Sequence, residues 1–387
     1  MKRPKVVLRI DIADMYGRGI VRGISNYSQQ LGRWYIVHQN MDYYDSTDYN
    51  IFSDRPNKWI ADGIITDSCQ IPEMVKQHGI PVIAWDSFQD IHDMPKIEAD
   101  SAAIAEMALK HFMDRNFLQL AYCGFEGMDW VVKRGECFAQ CASAMGFDVA
   151  RYQVKAPKDG SFWEEELDKM GAWLNSLPQP LGLLTCNDDC AKLVINACRS
   201  ASIGVPGDVA VLGIGNDDMV CLPIDPTLSS IVLDFEKAGF EAAGQLDKLM
   251  RGQEKPANQC IAIRPTHVKV RRSTDTFAVD DPVVKLALQY IRDNSHKVIG
   301  VPDVVEIACM SRRGLEYRFK TVLGRSINKV IRAQRIIKVT EMLIETNLPI
   351  SQIAYKLGFS SIEHISRFFG KEKGISPSGF RNKYRKA

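Results

Sequence analysis

Over roughly the last hundred residues, one spacing of apolar positions is written twice. The first copy runs Val301, Val304, Val305, Ala308, Met310, Ser311, Leu315, Phe319, Gly324. The second runs Ile350, Ile353, Ala354, Leu357, Phe359, Ser360, Ile365, Phe369, Gly374. The copies stay in step until one extra residue enters the turn of the second. Apolar residues at i, i+3, i+4 and i+7 predict a short helix, then a tight turn and a second amphipathic helix, so each copy reads as a helix-turn-helix. With Leu315 and Phe319 turned inward, Arg312, Arg313, Glu316, Tyr317 and Lys320 face solvent, behind Ser311 at the turn. With Ile365, Phe368 and Phe369 inward, Ser361, Glu363, His364, Arg367 and Lys371 do so.

The front of the chain has a different rhythm. Short β-rich runs (Val6–Ile10, Tyr35–Gln39, Gly63–Thr66, Val82–Trp85, Ile97–Ala99) alternate with helical stretches such as Gly19–Leu31 and Ser101–Arg115. The pattern restarts at Leu118–Cys123, Val149–Val154, Leu181–Cys186 and Val209–Ile214. Strand–helix alternation predicts parallel sheets, and the restart predicts two similar lobes. The fold class is therefore α/β in front, followed by an all-α domain with two helix-turn-helix motifs.

Charge sharpens the division. From Asp281 onward there are 20 Lys+Arg against 9 Asp+Glu, net +11; the rest holds 29 against 38, net −9, and the whole chain carries only +2. A basic all-α module on an acidic body suits a nucleic-acid reader, because neutralised phosphates supply most non-specific affinity. Arg can fork onto guanine, Glu can accept from cytosine N4, and Ser or Lys can hold phosphates.

In open parallel sheets a ligand sits beyond the carboxyl ends of the strands. Those ends carry Asp11, Asp67, Asp86, Asp100, Asn187 with Asp188, and Asn216 with Asp217, with Tyr16, Trp85, Trp130, Trp163 and Arg134 near them in sequence. Carboxylates and amides suit vicinal hydroxyls, and an indole face suits the apolar side of a sugar ring. Singly, each Asp also reads as a helix cap and each Trp as core.

Arg9 and Asp11 interrupt the first apolar run, so neither a signal peptide nor a membrane span is expected. Ten cysteines are scattered without C-x-x-C pairs or metal-type spacing, which predicts free thiols in a reducing cytoplasm, with no metal and no cofactor. P-loop, G-x-S-x-G, H-E-x-x-H and dinucleotide glycine patterns are missing from the sequence. Asp188/Asp189 and Asp217/Asp218 could be imagined as the acid and base of a sugar hydrolase, but capping is the plainer reading.

The stretch from Ile350 to Arg385, with its Gly358-Phe359 turn, its Arg367-x-Phe369 helix and its closing Gly374-x-Ser376-Pro377-x-x-Phe380-Arg381, resembles the signature of AraC-type DNA-binding domains. The resemblance covers about Pro282 to Lys386. It implies seven helices, with Ile327–Glu345 linking two readers that face successive major grooves. By position, Arg313, Glu316 and Tyr317, and Glu363, His364 and Arg367, become base-facing, although Tyr317 departs from the polar or basic residue usual there.

The segments DGIITD, IPVIAWD, LLTCNDDCAKLVINACRSASIGVPGDVAVLGIGNDD and PTLSSIVLDFEKAGFEAA resemble the sensors of LacI/GalR-type regulators, which are similar to periplasmic sugar-binding proteins. Joined in this order to an AraC-type tail, they resemble bacterial xylose operon regulators. The resemblance implies a sensor over 1–275 with lobes of about 5–117 plus 231–257 and 118–230 plus 258–275, a linker over 276–282, and a DNA-binding domain over 283–387. Its ligand contacts fall on Arg134, Asn187 and Asp188, completing a set with Asp11, Tyr16, Asp86, Trp130, Asn216 and Asp217. One departure stands out: where the family usually has an Asp that grips sugar hydroxyls, this chain has Gly215, so two acceptors are lost unless Asn216 or Asp217 swings in. Xylose is then one candidate effector among several sugars.

The expected partners are a double-stranded DNA operator, a small sugar effector, RNA polymerase and a second copy of the chain in a homodimer, in the bacterial cytoplasm on the nucleoid, with no membrane partner. Activation is the expected sign. A ligand-free dimerisation scaffold in front of the same reader is the alternative, and a sugar-acting enzyme the remote one.

Overall fold

A computed structural model describes residues 3–38, 61–67, 75, 77–85, 94–155, 163–254 and 259–384. By internal contacts the chain divides into Met1–Lys110 with Gln119–Thr274, and His111–Leu118 with Asp275–Ala387.

The first unit is built on two six-stranded sheets. In one, β1 (Lys5–Arg9), β2 (Tyr35–His38), β3 (Gly63–Thr66), β4 (Val82–Trp85), β5 (Lys96–Ala99) and β11 (Cys260–Ile263) lie in the order β11-β5-β4-β3-β1-β2, all parallel. In the other, β6 (Gln119–Phe125), β7 (Val149–Val154), β8 (Leu181–Thr185), β9 (Val209–Gly215), β10 (Ser229–Leu233) and β12 (Pro265–Lys269) lie in the order β12-β10-β9-β8-β6-β7. Here only the β10–β12 pair is antiparallel. β3, β8 and β9 are buried along their whole length, as unbroken apolar runs in a two-sided parallel sheet require.

Helices α1 (Met15–Tyr27), α2 (Ser101–Asp114), α3 (Asp129–Ser143), α4 (Trp163–Ser176), α5 (Asp188–Ser200), the short α6 (Asp218–Cys221) and α7 (Phe235–Met250) join the strands. The lobe boundaries differ from expectation. β10 pairs with β9, so the chain stays in the second sheet through Leu233 rather than leaving it at 230; β11 pairs with β5, so 260–263 belongs to the first sheet rather than the second. The hydrogen-bond register, which no periodicity encodes, decides both.

Within the helical unit, α8 (Pro282–Asp293), α9 (Val301–Ile307), α10 (Arg312–Leu323), α11 (Ile327–Glu345), α12 (Ile350–Lys356), α13 (Ile362–Lys373) and α14 (Pro377–Tyr384) enclose two separate cores. Val284, Leu288, Leu315, Phe319 and Ile331 belong to one, and Val339, Leu343, Ile353, Ile365 and Phe369 to the other. Phe277 and Val279, expected in a linker, are buried in the first core, and Asp281 caps α8 and pairs with Arg318 at 2.6 Å. The turn residues Cys309 (φ +49°) and Gly358 (φ +68°) match between the copies. Ser311 and Ser361 then cap α10 and α13, so the extra residue falls at Ser360.

Candidate effector cavity and nucleic-acid interface

Beyond the carboxyl ends of both sheets lies a cavity of about 260 Å³. Of the expected residues, Asp11, Tyr16, Trp130, Arg134 and Asn187 line it, and Asp86 lies outside the described residues. Trp85 and Asp67 line it as well. Asp14, Gly17, Glu98, Ser101, Lys133 and Phe235 do too, and the sequence reading did not single these out. Lys133 could have been found from α3 itself, since Trp130, Lys133 and Arg134 stand at i, i+3 and i+4 on one helix face. Glu98 could not, because its role comes from an ion pair with Lys133, 35 residues away.

The polar wall is held from behind by backbone amides. Asp67 accepts from Asp11 N at 2.6 Å, Asp11 from Ala13 N at 2.8 Å, and Asp14 from Gly17 N at 3.0 Å while capping α1. Burial raises the Asp14 and Asp67 carboxyls above their ordinary range, and hydrogen bonds from these amides oppose it. Asn187 lines the cavity and also caps α5, accepting from Cys190 N at 2.9 Å. Arg134 is buried, donates to the Cys186 carbonyl and sits over the Trp130 ring at 4.9 Å.

Three expected contacts are drawn away from the cavity lining. Asp188 is buried, accepting from Ser230 Oγ at 2.6 Å and Asp217 N at 2.8 Å; burial pushes its carboxyl up to about 6. Asp217 caps α6 through Met219 N and lies 3.8 Å from Arg18. Asn216 has φ +65° and donates its N–H to Ser230 Oγ, while its buried Oδ1 accepts no hydrogen bond among the described residues. Neither Asn216 nor Asp217 replaces a carboxylate at 215. With Asp218 on Arg271 at 2.8 Å, the carboxylates of Asp188, Asp217 and Asp218 brace loops and a helix start.

Tyr16 fills the place instead. Gly215 has φ +125°, and a Cβ there would lie 2.4 Å from Tyr16 Oη. That hydroxyl donates to the Ile214 carbonyl at 2.8 Å, and the ring packs edge-on against Phe235 at 4.9 Å. Burial, then the Asp188 carboxylate, raises the Tyr16 hydroxyl far above its ordinary value, so it stays a donor. Tyr16 to Ile214, Lys133 to Glu98 and Arg18 to Asp217 each bridge from one sheet's lobe to the other's.

In the helical unit, Ser311, Arg312, Arg313, Glu316, Tyr317, Lys320, Ser361, Glu363, His364, Arg367 and Lys371 are all exposed. Arg313 and Arg367 make no hydrogen bond or ion pair among the described residues, leaving both guanidinium forks open. Glu316 is held by Arg312 at 2.9 Å, and His364 Nδ1 lies 3.0 Å from Ser360 Oγ. Tyr317 is 72% exposed, a large aromatic with no core to join. Among the described residues no group of His, Cys, Asp and Glu could hold a metal ion, and no helix is long and apolar enough to cross a membrane.

Comparison with known proteins agrees with this division. A periplasmic binding protein-like domain model matches residues 109–274, and a helix-turn-helix domain model matches 304–383. The xylose operon regulatory protein of Haemophilus influenzae is 30% identical over 97% of this chain and 98% of its own length; that of Escherichia coli K12 is 28% identical over 98% and 97%. A solved xylose-binding transcription activator superposes with a TM-score of 0.61 at 26% identity, covering all of both chains. A LacI family regulator from Arthrobacter, 21% identical with a TM-score of 0.53 over 71% of this chain and all of its own, shares the sensor fold. The chain therefore belongs to the family of xylose operon regulatory proteins, as a DNA-binding, sugar-responsive transcription regulator.

Proposed function

We propose that the chain is an activator whose effector is one neutral sugar held between the lobes by Asp11, Asp14, Tyr16, Asp67, Trp130, Arg134 and Asn187. The observation that carries this reading is the cavity wall: four carboxylates (Asp11, Asp14, Asp67, Glu98) face two cations (Lys133, Arg134), beside Trp85, Trp130 and Phe235. Acceptors in excess suit a ligand rich in hydroxyl donors, and the net negative charge repels phosphorylated or acidic sugars. Aromatic faces suit the apolar side of a ring. The names of the relatives make D-xylose the first candidate, and Gly215 with Tyr16 is where this cavity departs from the family pattern.

A sugar that bonds both lobes favours closure only by its differential affinity for the closed state. The three cross-lobe contacts add to whatever the sugar contributes. On the DNA side, Arg313, Glu316 and Tyr317, and Glu363, His364 and Arg367, read bases in successive major grooves, while Ser311, Arg312, Lys320, Ser361 and Lys371 hold phosphates. A homodimer presents four readers, which calls for a long operator with repeated half-sites and a steep salt dependence. It works in the cytoplasm on the nucleoid and recruits RNA polymerase rather than catalysing a reaction. The sensor runs to about residue 274, and the reader takes in the segment from Phe277 that packs into its first core.

Calorimetric titration of the purified protein with pentoses, hexoses and their phosphates tests the reading. Saturable binding of a neutral sugar that changes operator affinity supports it. Silence across the neutral sugars, or binding only of the phosphates, refutes it and favours a scaffold or a different ligand class.

A further inference from the structure

The two readers hang on separate cores that share no buried apolar residue. Along α11, Ile327, Val330 and Ile331 belong to the first core, while Ile336, Val339 and Leu343 face the second. The intervening turn carries Arg332 and Arg335. Hydrophobic burial has no direction and fixes each core internally; by itself it does not fix one core against the other.

Arg335 spans that gap. Its guanidinium donates to the Lys297 carbonyl at 2.6 Å, in the loop before α9, and to the Leu357 carbonyl at 2.9 Å, at the end of α12. It lies over the Phe359 ring at 4.6 Å and is only 9% exposed. Burial lowers its proton affinity below the ordinary arginine value. The residues next to both carbonyls also meet: a Cβ on Gly358, with φ +68°, would lie 2.5 Å from Val298 Cγ2. Thus the segment leading into the first helix-turn-helix and the turn of the second are joined through one planar fork, whose two donors have a fixed angle. Arg332, paired with Glu372 at 2.5 Å, ties the same turn of α11 to the second reader helix.

We infer that Arg335 is a positioning residue that locks the two reader helices into one rigid unit, and so sets the spacing between the two base sequences the protein accepts. A rigid pair tolerates little change in spacing. One inserted base pair moves the second site by about 3.4 Å and rotates it by roughly 34° at about 10.5 base pairs per turn. Lysine, a point donor without a fork, cannot hold both carbonyls in that geometry.

The test uses the full chain and a duplex selected by it from a random pool, with and without one base pair inserted between the two submotifs. Binding is measured by fluorescence anisotropy for wild type, Arg335→Met and Arg335→Lys. The wild type is expected to lose at least tenfold in affinity on insertion, Arg335→Met about threefold or less, and Arg335→Lys an intermediate factor. A purely structural role would weaken binding to both duplexes by the same factor, leaving the ratio unchanged, and that result overturns the lock. A wild type indifferent to the insertion overturns it as well. Selection of a single undivided motif would remove the two-reader reading and the lock with it, whereas a bipartite motif with unaltered ratios removes the lock alone. Should Arg335→Met lose its cooperative thermal transition, Arg335→Lys carries the comparison.

Discussion

Gly215→Ala should destabilise the sensor through Tyr16, and a double-mutant cycle can isolate that route. The new Cβ would lie 2.4 Å from Tyr16 Oη, 2.8 Å from Cζ and 3.1 Å from Cε1, in a backbone conformation (φ +125°) that side chains rarely adopt. Overpacking a close contact costs about 1–3 kcal/mol and a strained backbone about 1–3 kcal/mol. Displacing the hydroxyl from Ile214 O adds about 1 kcal/mol. The single substitution should then cost about 3–7 kcal/mol. In a Tyr16→Ala background the ring is gone, so only the backbone strain remains and the cost falls by about 2–4 kcal/mol. All six tryptophans lie between Trp34 and Trp173, so urea unfolding followed by tryptophan fluorescence reports on the sensor alone. If the two single costs add to within about 0.5 kcal/mol in the double variant, Tyr16 and Gly215 are uncoupled and the assignment of Tyr16 to that space is refuted.

Arg134→Ala should weaken effector binding tenfold or more, from the loss of about 1.5–3 kcal/mol of charged hydrogen bonding, while operator affinity without sugar stays unchanged; calorimetry and anisotropy read the two separately. Arg367→Ala should lower discrimination at one base pair by about 1–3 kcal/mol, and uniform weakening across all single-base variants of the operator would make it a phosphate clamp instead. Asp188 predicts a pH effect. Because its carboxyl is raised to about 6 in the folded chain, the folded state holds a proton that the unfolded state releases between about pH 4 and 6. Its contribution therefore favours the folded chain at low pH, falls as pH rises through that window, and is flat above it, a span of about 3 kcal/mol. Asp188→Asn should remove this component, so the stability difference between variant and wild type should change from pH 4 to pH 7; parallel profiles would contradict the account.

Whatever follows from local periodicity and charge was legible in the chain before any fold was known. The doubled apolar spacing, the serine caps and the basic tail specified two reader helices, because helix faces and caps are set within four or five residues of chain. Unbroken apolar runs such as Leu181–Thr185 specified buried parallel strands, and Asp11, Tyr16, Trp130, Arg134 and Asn187 were legible as polar or aromatic residues near strand ends and helix starts. Tertiary structure alone decided what depends on partners far away in the chain. Asp188, Asn216 and Asp217 read as ligand contacts because they follow strands, yet Ser230 engages the first two and Arg18 the third, and no local pattern announces those partners. The pairing of Glu98 with Lys133, the seat of Tyr16 against Gly215, the sheet membership of β10 and β11 and the grip of Arg335 on two turns all join segments 17 to 199 residues apart. Side-chain identity fixes which bonds are possible. Only the packed backbone brings a donor to its acceptor, because the entropy of ordering such distant segments is repaid by the whole fold and not by any one contact.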